Sequence, residues 1–279
     1  MAIELAPGAP DYGEMLRFPA TLGTIGRICF ALPLIVFGAE HFILTKTLEN
    51  LVPAWLHASL FWTYFVGAAL IAGGLSLITT VQMRLAAALV ACLMFLFVAL
   101  IWAPNTFAKP IERLLWIVCC RELIFAAGPA VLAYRRVPDA LRIFVAVVLL
   151  FFAVEHFLHA NCVPGVPLEK TIPAYVPGGQ VWSYLTGVLL LAGAVAGMFR
   201  RWAQTSFMAV GMLMLFLVIA FYLPIMLSQR DIEGLNYFAD TMMFGGSLLL
   251  IAKGLGREPE TGRPRDARQA RREPGLSIG

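Results

Sequence analysis

The stretch RICFALPLIVFGAEHF (Arg27 to Phe42) decides the fold, because the chain repeats its pattern at RIFVAVVLLFFAVEHF (Arg142 to Phe157). Each stretch is an apolar run that begins at an arginine and ends in a glutamate and a histidine. About 20 predominantly apolar residues cross the hydrocarbon core of a bilayer as a helix. The two stretches therefore indicate membrane-spanning helices at the same place in two copies of one unit.

The composition of the whole chain is that of a membrane protein. Hydrophobic residues make up 60% of the 279 residues and charged residues 14%, against about 45–50% and about 25% in soluble domains. Apolar runs of spanning length predict an all-α integral membrane protein with eight transmembrane helices. The predicted helices cover residues 24–43, 60–81, 85–103, 114–134, 141–160, 180–199, 203–226 and 236–254.

The repeat extends over four helices in each half. VPAWLH (Val52 to His57) corresponds to IPAYVP (Ile172 to Pro177), and LMFLFVALIWAP (Leu93 to Pro104) corresponds to LMLFLVIAFYLP (Leu213 to Pro224), at an offset of 120 instead of 115. The loop after the first helix is therefore five residues longer in the second half. Since four spans return the chain to its starting side, the halves share one orientation. We predict two parallel-repeat four-helix bundles.

The distribution of basic residues predicts the orientation of the chain. Arginine and lysine are concentrated at the end of the predicted helices where the chain begins and ends, so the positive-inside rule makes both termini cytoplasmic. This orientation and attraction to anionic lipid explain the basic tail better than nucleic-acid binding does. The expected segments are a cytoplasmic N-terminal segment (1–23), two membrane repeats (24–134 and 141–254) and a disordered basic cytoplasmic tail (255–279).

Several short motifs resemble a known family. AEHF, a loop carrying LVPAWLH and a second span with FVGAALIAGGLSL are similar to the DoxX-like family of four-helix membrane proteins, and VEHF, TIPAYVP and LTGVLLLAGAVAG repeat this resemblance. Members have been linked to sulfur-compound oxidation with quinone and to membrane redox complexes. The resemblance implies a bacterial-type inner-membrane protein that acts in or beside such a redox system. The family often carries a glutamate in the second helix, where this chain has leucine at Leu70 and Leu190.

Acidic residues and histidines inside the predicted spans are the candidate catalytic residues. The candidates are Glu40, His41 and Glu122 for one site and Glu155, His156 and Asp240 for its twin. A carboxylate near an imidazole at a membrane surface, with another acid deeper in the bundle, provides a short proton path. We hypothesise that each site exchanges protons with a bound quinone or another small redox partner. The structural alternative is that these side chains anchor helix ends and cap buried charges.

Arg121 and two tryptophans are candidate ligand contacts. A charge deep in a span costs at least about 2.5–3.5 kcal/mol and needs a partner. Adjacent residues on a helix point about 100° apart, so we expect the partners of Arg121 to lie on other helices and not at Glu122. Trp62 and Trp182 belong either to an aromatic belt or to the wall of a quinone slot.

Other cofactors have weaker sequence support. EHFLHANC places His156 and His159 on one helical face with Cys162 after them, a spacing that could hold a transition metal. Alternatively, His41 and His156 could ligate a haem. The first half lacks the second histidine and the cysteine, and no CxxC, phosphate loop or dinucleotide fingerprint occurs.

The sequence therefore predicts an eight-span protein of the DoxX-like kind, with quinone and a membrane redox complex as its partners besides the lipid bilayer. The alternative is a non-enzymatic protein, either a transporter or a scaffold that helps to assemble another membrane complex. Parallel repeats with acids inside the membrane suit a transporter too.

Overall fold

The computed structural model describes residues 18–256, so most of the predicted N-terminal segment and of the basic tail lie outside the described residues. Within this part of the chain the protein is helical and contains no β-strand, only an isolated bridge between Cys162 and Thr171. Eight of the helices are long and apolar enough to cross a membrane, which confirms the predicted fold class. They are α1 (Ala20–Ile43), α2 (Ser59–Thr79), α3 (Met83–Ala108), α4 (Arg113–Tyr134), α5 (Asp139–Leu158), α6 (Gln180–Gly197), α7 (Arg200–Gln229) and α8 (Ile232–Leu255).

Helices α3 and α7 run further than predicted because each contains a π-helical turn. These turns span Val98–Trp102 and Val218–Tyr222, and each is followed by a proline, Pro104 or Pro224. Proline has no N–H to donate to the preceding turn. The hydrogen-bond register widens locally at the π turn, and the helix continues past the proline.

Equivalent hydrogen bonds join the first and second helices of each half. Arg27 at the start of α1 donates to the carbonyl of Leu77 at the end of α2. Arg142 at the start of α5 donates to the carbonyl of Gly197 at the end of α6, at 2.9 Å. Each arginine satisfies a carbonyl that has no partner within its own helix, because the helix ends there.

Helix α8 lies at the centre of the molecule and is the most buried of the eight spanning helices. Helix α8 packs against α1 of the other half as well as against α4 and α7. Two glycines permit the contact with α1, because a Cβ on Gly246 would lie only 2.8 Å from the carbonyl oxygen of Gly26. The bundles are therefore fused, and α8 completes the ring of helices that begins with α1 to α4.

The loops after α1 and α5 fold differently. Both lie on the side of the bundle opposite the described chain ends, which we call the loop side. The first loop continues α1 with a short helix, Thr45–Leu48, whose residues are not buried. The longer second loop turns inward at residues 162–168, all of which are buried. We call residues 162–168 the plug.

Candidate functional site

A cavity of about 550 Å³ opens on the loop side of the first half. Its walls come from α1 to α4, from the loop residues 48–56 and from α8. Most of the lining side chains are aliphatic or aromatic, and the polar ones lie on α1, α2, α4 and α8. A mostly apolar cavity of about 300–1,000 Å³ with a few convergent polar groups is the usual form of a small-molecule site. The cavity is therefore the candidate functional site.

Arg121 is bound by two carboxylates at the polar end of the cavity. Its Nη2 donates to Glu122 Oε1 at 3.1 Å, and its Nη1 donates to the carboxylate of Asp240 on α8. Our expectation that Glu122 would not pair with Arg121 was wrong, because the long arginine side chain reaches back to its neighbour's carboxylate. The expectation of a partner on another helix is confirmed by Asp240. Arg121 Nε is buried and has no hydrogen-bond partner among the described residues.

Glu40 of α1 is also tied to α8. With its amide nitrogen turned toward Glu40, Asn236 donates to both carboxylate oxygens, at 2.5 and 3.2 Å. Our sequence reasoning missed Asn236. The available signal was its position one helical turn before Asp240, which puts both side chains on one face of α8.

His41 presents one free ring nitrogen to the site that it lines. Its Nδ1 lies 2.7 Å from the carbonyl oxygen of Phe37, so Nδ1 carries the proton and donates. In the neutral ring Nε2 then holds the lone pair, and Nε2 has no hydrogen-bond partner within residues 18–256. Nε2 is therefore available to accept a hydrogen bond or a proton from a ligand.

Acidic groups outnumber basic groups at this end of the cavity. Glu40, Glu122 and Asp240 all line it, whereas Arg121 is its one arginine or lysine. If all three carboxyl groups were ionised, they would exceed the guanidinium by two charges. Uncompensated charge is unfavourable in a membrane interior. The cluster is therefore suited to hold a proton or a cation.

The plug fills the space in the second half that corresponds to the cavity. His156 Nε2 accepts from the N–H of Gly165 at 3.0 Å, Ser183 Oγ donates to the carbonyl of Cys162 at 2.6 Å, and the Tyr222 hydroxyl donates to the carbonyl of Val163 at 3.3 Å. By the repeat, these three side chains correspond to His41, Thr63 and Trp102, which all line the cavity. The five-residue difference between the loops thus decides which half has an open cavity.

The predicted twin site of Glu155, His156 and Asp240 does not form. Asp240 lies in the first-half cavity, because α8 packs against α1. Glu155 is instead paired with Arg113 at 3.1 Å. Both ring nitrogens of His156 are engaged, since Nδ1 lies 2.6 Å from the carbonyl oxygen of Phe152 and Nε2 accepts from the plug. The second half therefore has the structural arrangement that we gave as the alternative for these residues.

The histidine and cysteine groups do not form a metal or haem site. Among residues 18–256, no group of three histidine, cysteine, aspartate or glutamate side chains is placed to hold a metal ion. Burial raises the pKa of the Cys162 thiol, and a thiol that keeps its proton is a poor metal ligand. His156 has no free nitrogen to share a haem with His41.

The two candidate tryptophans differ in their surroundings although their hydrogen bonds match. Trp62 Nε1 donates to the carbonyl of His57 at 3.0 Å, and Trp182 Nε1 donates to the carbonyl of Pro177 at 2.9 Å. Trp62 lines the cavity. Trp182 packs edge-on against Phe221, with ring centroids 5.5 Å apart, and so links α6 to α7. Trp182 therefore has a packing role in the second half and does not line the first-half cavity.

The cavity reaches the protein surface at the loop, where the lining residues Leu51 and Trp55 are exposed, and also between α2 and α3. Phe65, Leu96 and Leu100 line it and are also exposed, at 52%, 42% and 38% of their surface. The faces of spanning helices that are exposed in the isolated protein are the faces that meet lipid. The opening between α2 and α3 therefore leads toward the bilayer.

Fold and site together define a multi-pass membrane protein with a partly open, mostly apolar cavity that has acid and base groups at its polar end. Comparisons with family models, with curated proteins and with solved structures gave no match. The cavity is therefore the basis for a functional proposal.

Proposed function

We propose that this chain is a DoxX-like membrane protein that binds a quinone-type molecule in the first-half cavity and acts in or beside a membrane redox system. The observation that carries this proposal is the cavity itself, in which Glu40 and His41 adjoin an aromatic and aliphatic wall. We further propose a bacterial-type inner membrane and cytoplasmic termini, on the basis of the charge distribution.

The chemistry of quinones matches the two ends of the cavity. A quinone has a flat ring with two oxygens that take up or release protons on reduction or oxidation, and an apolar tail. Proton exchange needs a side chain within hydrogen-bond reach whose proton affinity suits the task, most often a histidine or a carboxylate. His41 with its available Nε2 and the carboxyl group of Glu40 supply such groups.

The opening between α2 and α3 supports a ligand that arrives from lipid. A lipid-soluble molecule partitions into the bilayer, and the lining residues Phe65, Leu96 and Leu100 are exposed there. A water-soluble substrate would find no polar entrance at this place. The apolar character of the opening favours a lipophilic ligand.

A direct binding measurement with a matched pair of variants tests the proposal. Leu70 lines the cavity, and its repeat partner Leu190 lies in the plugged half; both are buried, at 2% and 1% exposure. The purified protein in nanodiscs is titrated with a benzoquinone that carries a decyl tail, and binding is read from quenching of the fluorescence of the cavity tryptophans.

We expect Leu70→Phe to weaken binding about tenfold, because the larger ring takes up space that the ligand would occupy and a clash of about 1.4 kcal/mol corresponds to that factor. Leu190→Phe adds the same volume away from the cavity and should leave the affinity unchanged. Equal affinity in the wild type and both variants, or no saturable binding, would refute the proposed site.

A transporter is the second candidate, because the carboxyl groups of the cavity outnumber its cationic side chains. Such an excess also suits a carrier that takes up a proton during transport. The two candidates differ in one measurable respect. A transporter produces substrate-dependent flux in sealed liposomes without any quinone, whereas a quinone-binding redox protein does not.

A further inference from the structure

The plug shows how this fold holds an occupant. Its backbone lies in the second-half space that corresponds to the cavity, and Gly165 of the plug donates its N–H to His156 Nε2. Both halves fix the imidazole in the same way, since Nδ1 of His41 and of His156 each lie within hydrogen-bond distance of the carbonyl four residues earlier. The acceptor nitrogen is therefore Nε2 in both halves.

Among the side chains of the second half that bind the plug, the histidine is the one whose residue type and ring orientation are the same in the first half. Ser183 donates to the plug, but its partner Thr63 in the first half donates to the carbonyl of Ser59 in its own helix, at 2.9 Å. Tyr222 donates through a hydroxyl, and the corresponding residue is Trp102, whose donor is an indole N–H on a larger ring. His41 Nε2 thus keeps the accepting role that His156 Nε2 has toward Gly165.

We propose that the cavity ligand donates a hydrogen bond to His41 Nε2, in the way that Gly165 donates to His156, so that the site prefers a hydroquinone to the corresponding quinone. The hydroquinone has two hydroxyl donors, whereas the oxygens of the quinone only accept. This inference rests on the proposed quinone function and specifies the redox form that the site takes. A quinone oxygen and His41 Nε2 both accept hydrogen bonds. With the oxidised ligand bound, His41 Nε2 would therefore be buried without a donor.

The test compares the affinities of the two redox forms under anaerobic conditions. The full-length protein in nanodiscs is titrated by calorimetry with the decyl benzoquinone and with the same compound reduced to the hydroquinone. A buried acceptor left without its donor lowers affinity by about tenfold, so we expect the hydroquinone to bind about tenfold more tightly. The ratio of the two affinities does not depend on the fraction of active protein.

Three variants attribute the preference to one nitrogen. His41→Phe removes Nε2 and should reduce the ratio to about one. His41→Gln keeps an acceptor oxygen at the side-chain end and should retain part of the preference. His57→Phe changes an exposed histidine that does not line the cavity and serves as the control, with the ratio of the wild type expected.

The outcomes separate this inference from the function on which it rests. Equal affinity for both forms in the wild type, or a preference that survives in His41→Phe, overturns the proposed hydrogen bond and leaves the quinone site standing. If neither form binds, both proposals are wrong. A preference that is lost in His41→Phe and kept in His57→Phe supports the inference.

Discussion

Replacing Arg121 by methionine should destabilise the protein more than any loss of a surface charge. Arg121 is 9% exposed, and it binds Glu122, which is 8% exposed, and Asp240, which is 7% exposed. Methionine keeps much of the side-chain length but leaves two buried carboxylates without their cation. Removing one partner of a buried ion pair costs about 3–5 kcal/mol. We expect a loss of this size in the free energy of unfolding, measured by titration with SDS in mixed micelles.

Neutralising the two carboxylates should reverse most of this loss. In the triple variant Arg121→Met, Glu122→Gln, Asp240→Asn the ion cluster around Arg121 contains no charge that has lost its partner, and replacing a whole buried ion pair is often nearly neutral. Arg200→Met serves as the control, because Arg200 pairs with the exposed Asp139 and such pairs contribute little. Arg121→Met as stable as the wild type, or a triple variant as unstable as the single one, would contradict this reasoning. The pairing of Arg121 with the two carboxylates would then not contribute to the free energy of unfolding as we expect.

Two further predictions concern topology and helix packing. Reporter fusions after Arg136, Arg201 and Lys253 should be cytoplasmic and fusions after Lys46, Lys109 and Lys170 external; one reporter on the wrong side would contradict the eight-span topology. A Cβ on Gly67 would lie 2.7 Å from His41 Cβ, whereas the nearest atom to a Cβ on Gly187 is 3.2 Å away. Gly67→Ala should therefore displace His41 and lower both thermal stability and quinone affinity, and Gly187→Ala should have a smaller effect on stability and none on affinity. Equal effects of the two alanine variants would show that the close approach of α1 and α2 does not position His41.

The helices and the repeat could be predicted because they depend on local sequence. Spanning length follows from the number of consecutive apolar residues, and the repeat follows from motifs at a constant offset. The equivalent bonds of Arg27 and Arg142 agree with that offset. The membership of Glu40, His41 and Glu122 in one cavity was also predicted, since these residues belong to neighbouring helices of one half.

Asp240 and the plug could not be placed from the sequence, because both depend on contacts between distant segments. The repeat assigns Asp240 to the second half, but Gly26 and Gly246 allow α8 to pack against α1 and bring Asp240 to the other half's cavity. The extra length of the second loop was visible in the sequence. The full burial of Val163 and Leu168 in this loop was not visible. Nothing in the local sequence distinguishes a loop that folds into the bundle from one that stays on the surface.

The asymmetry of the halves gives the chain one site that needs both of them. A single four-helix unit would contain Glu40, His41, Arg121 and Glu122, but it would lack the residues of α8 that complete the cavity wall. Asn236 holds Glu40, and Asp240 holds Arg121, so both polar groups depend on the other half for their orientation. In the second half the corresponding space is filled by the plug, which engages His156. The second half therefore contributes α8 to the first-half cavity, while the plug fills its own corresponding space.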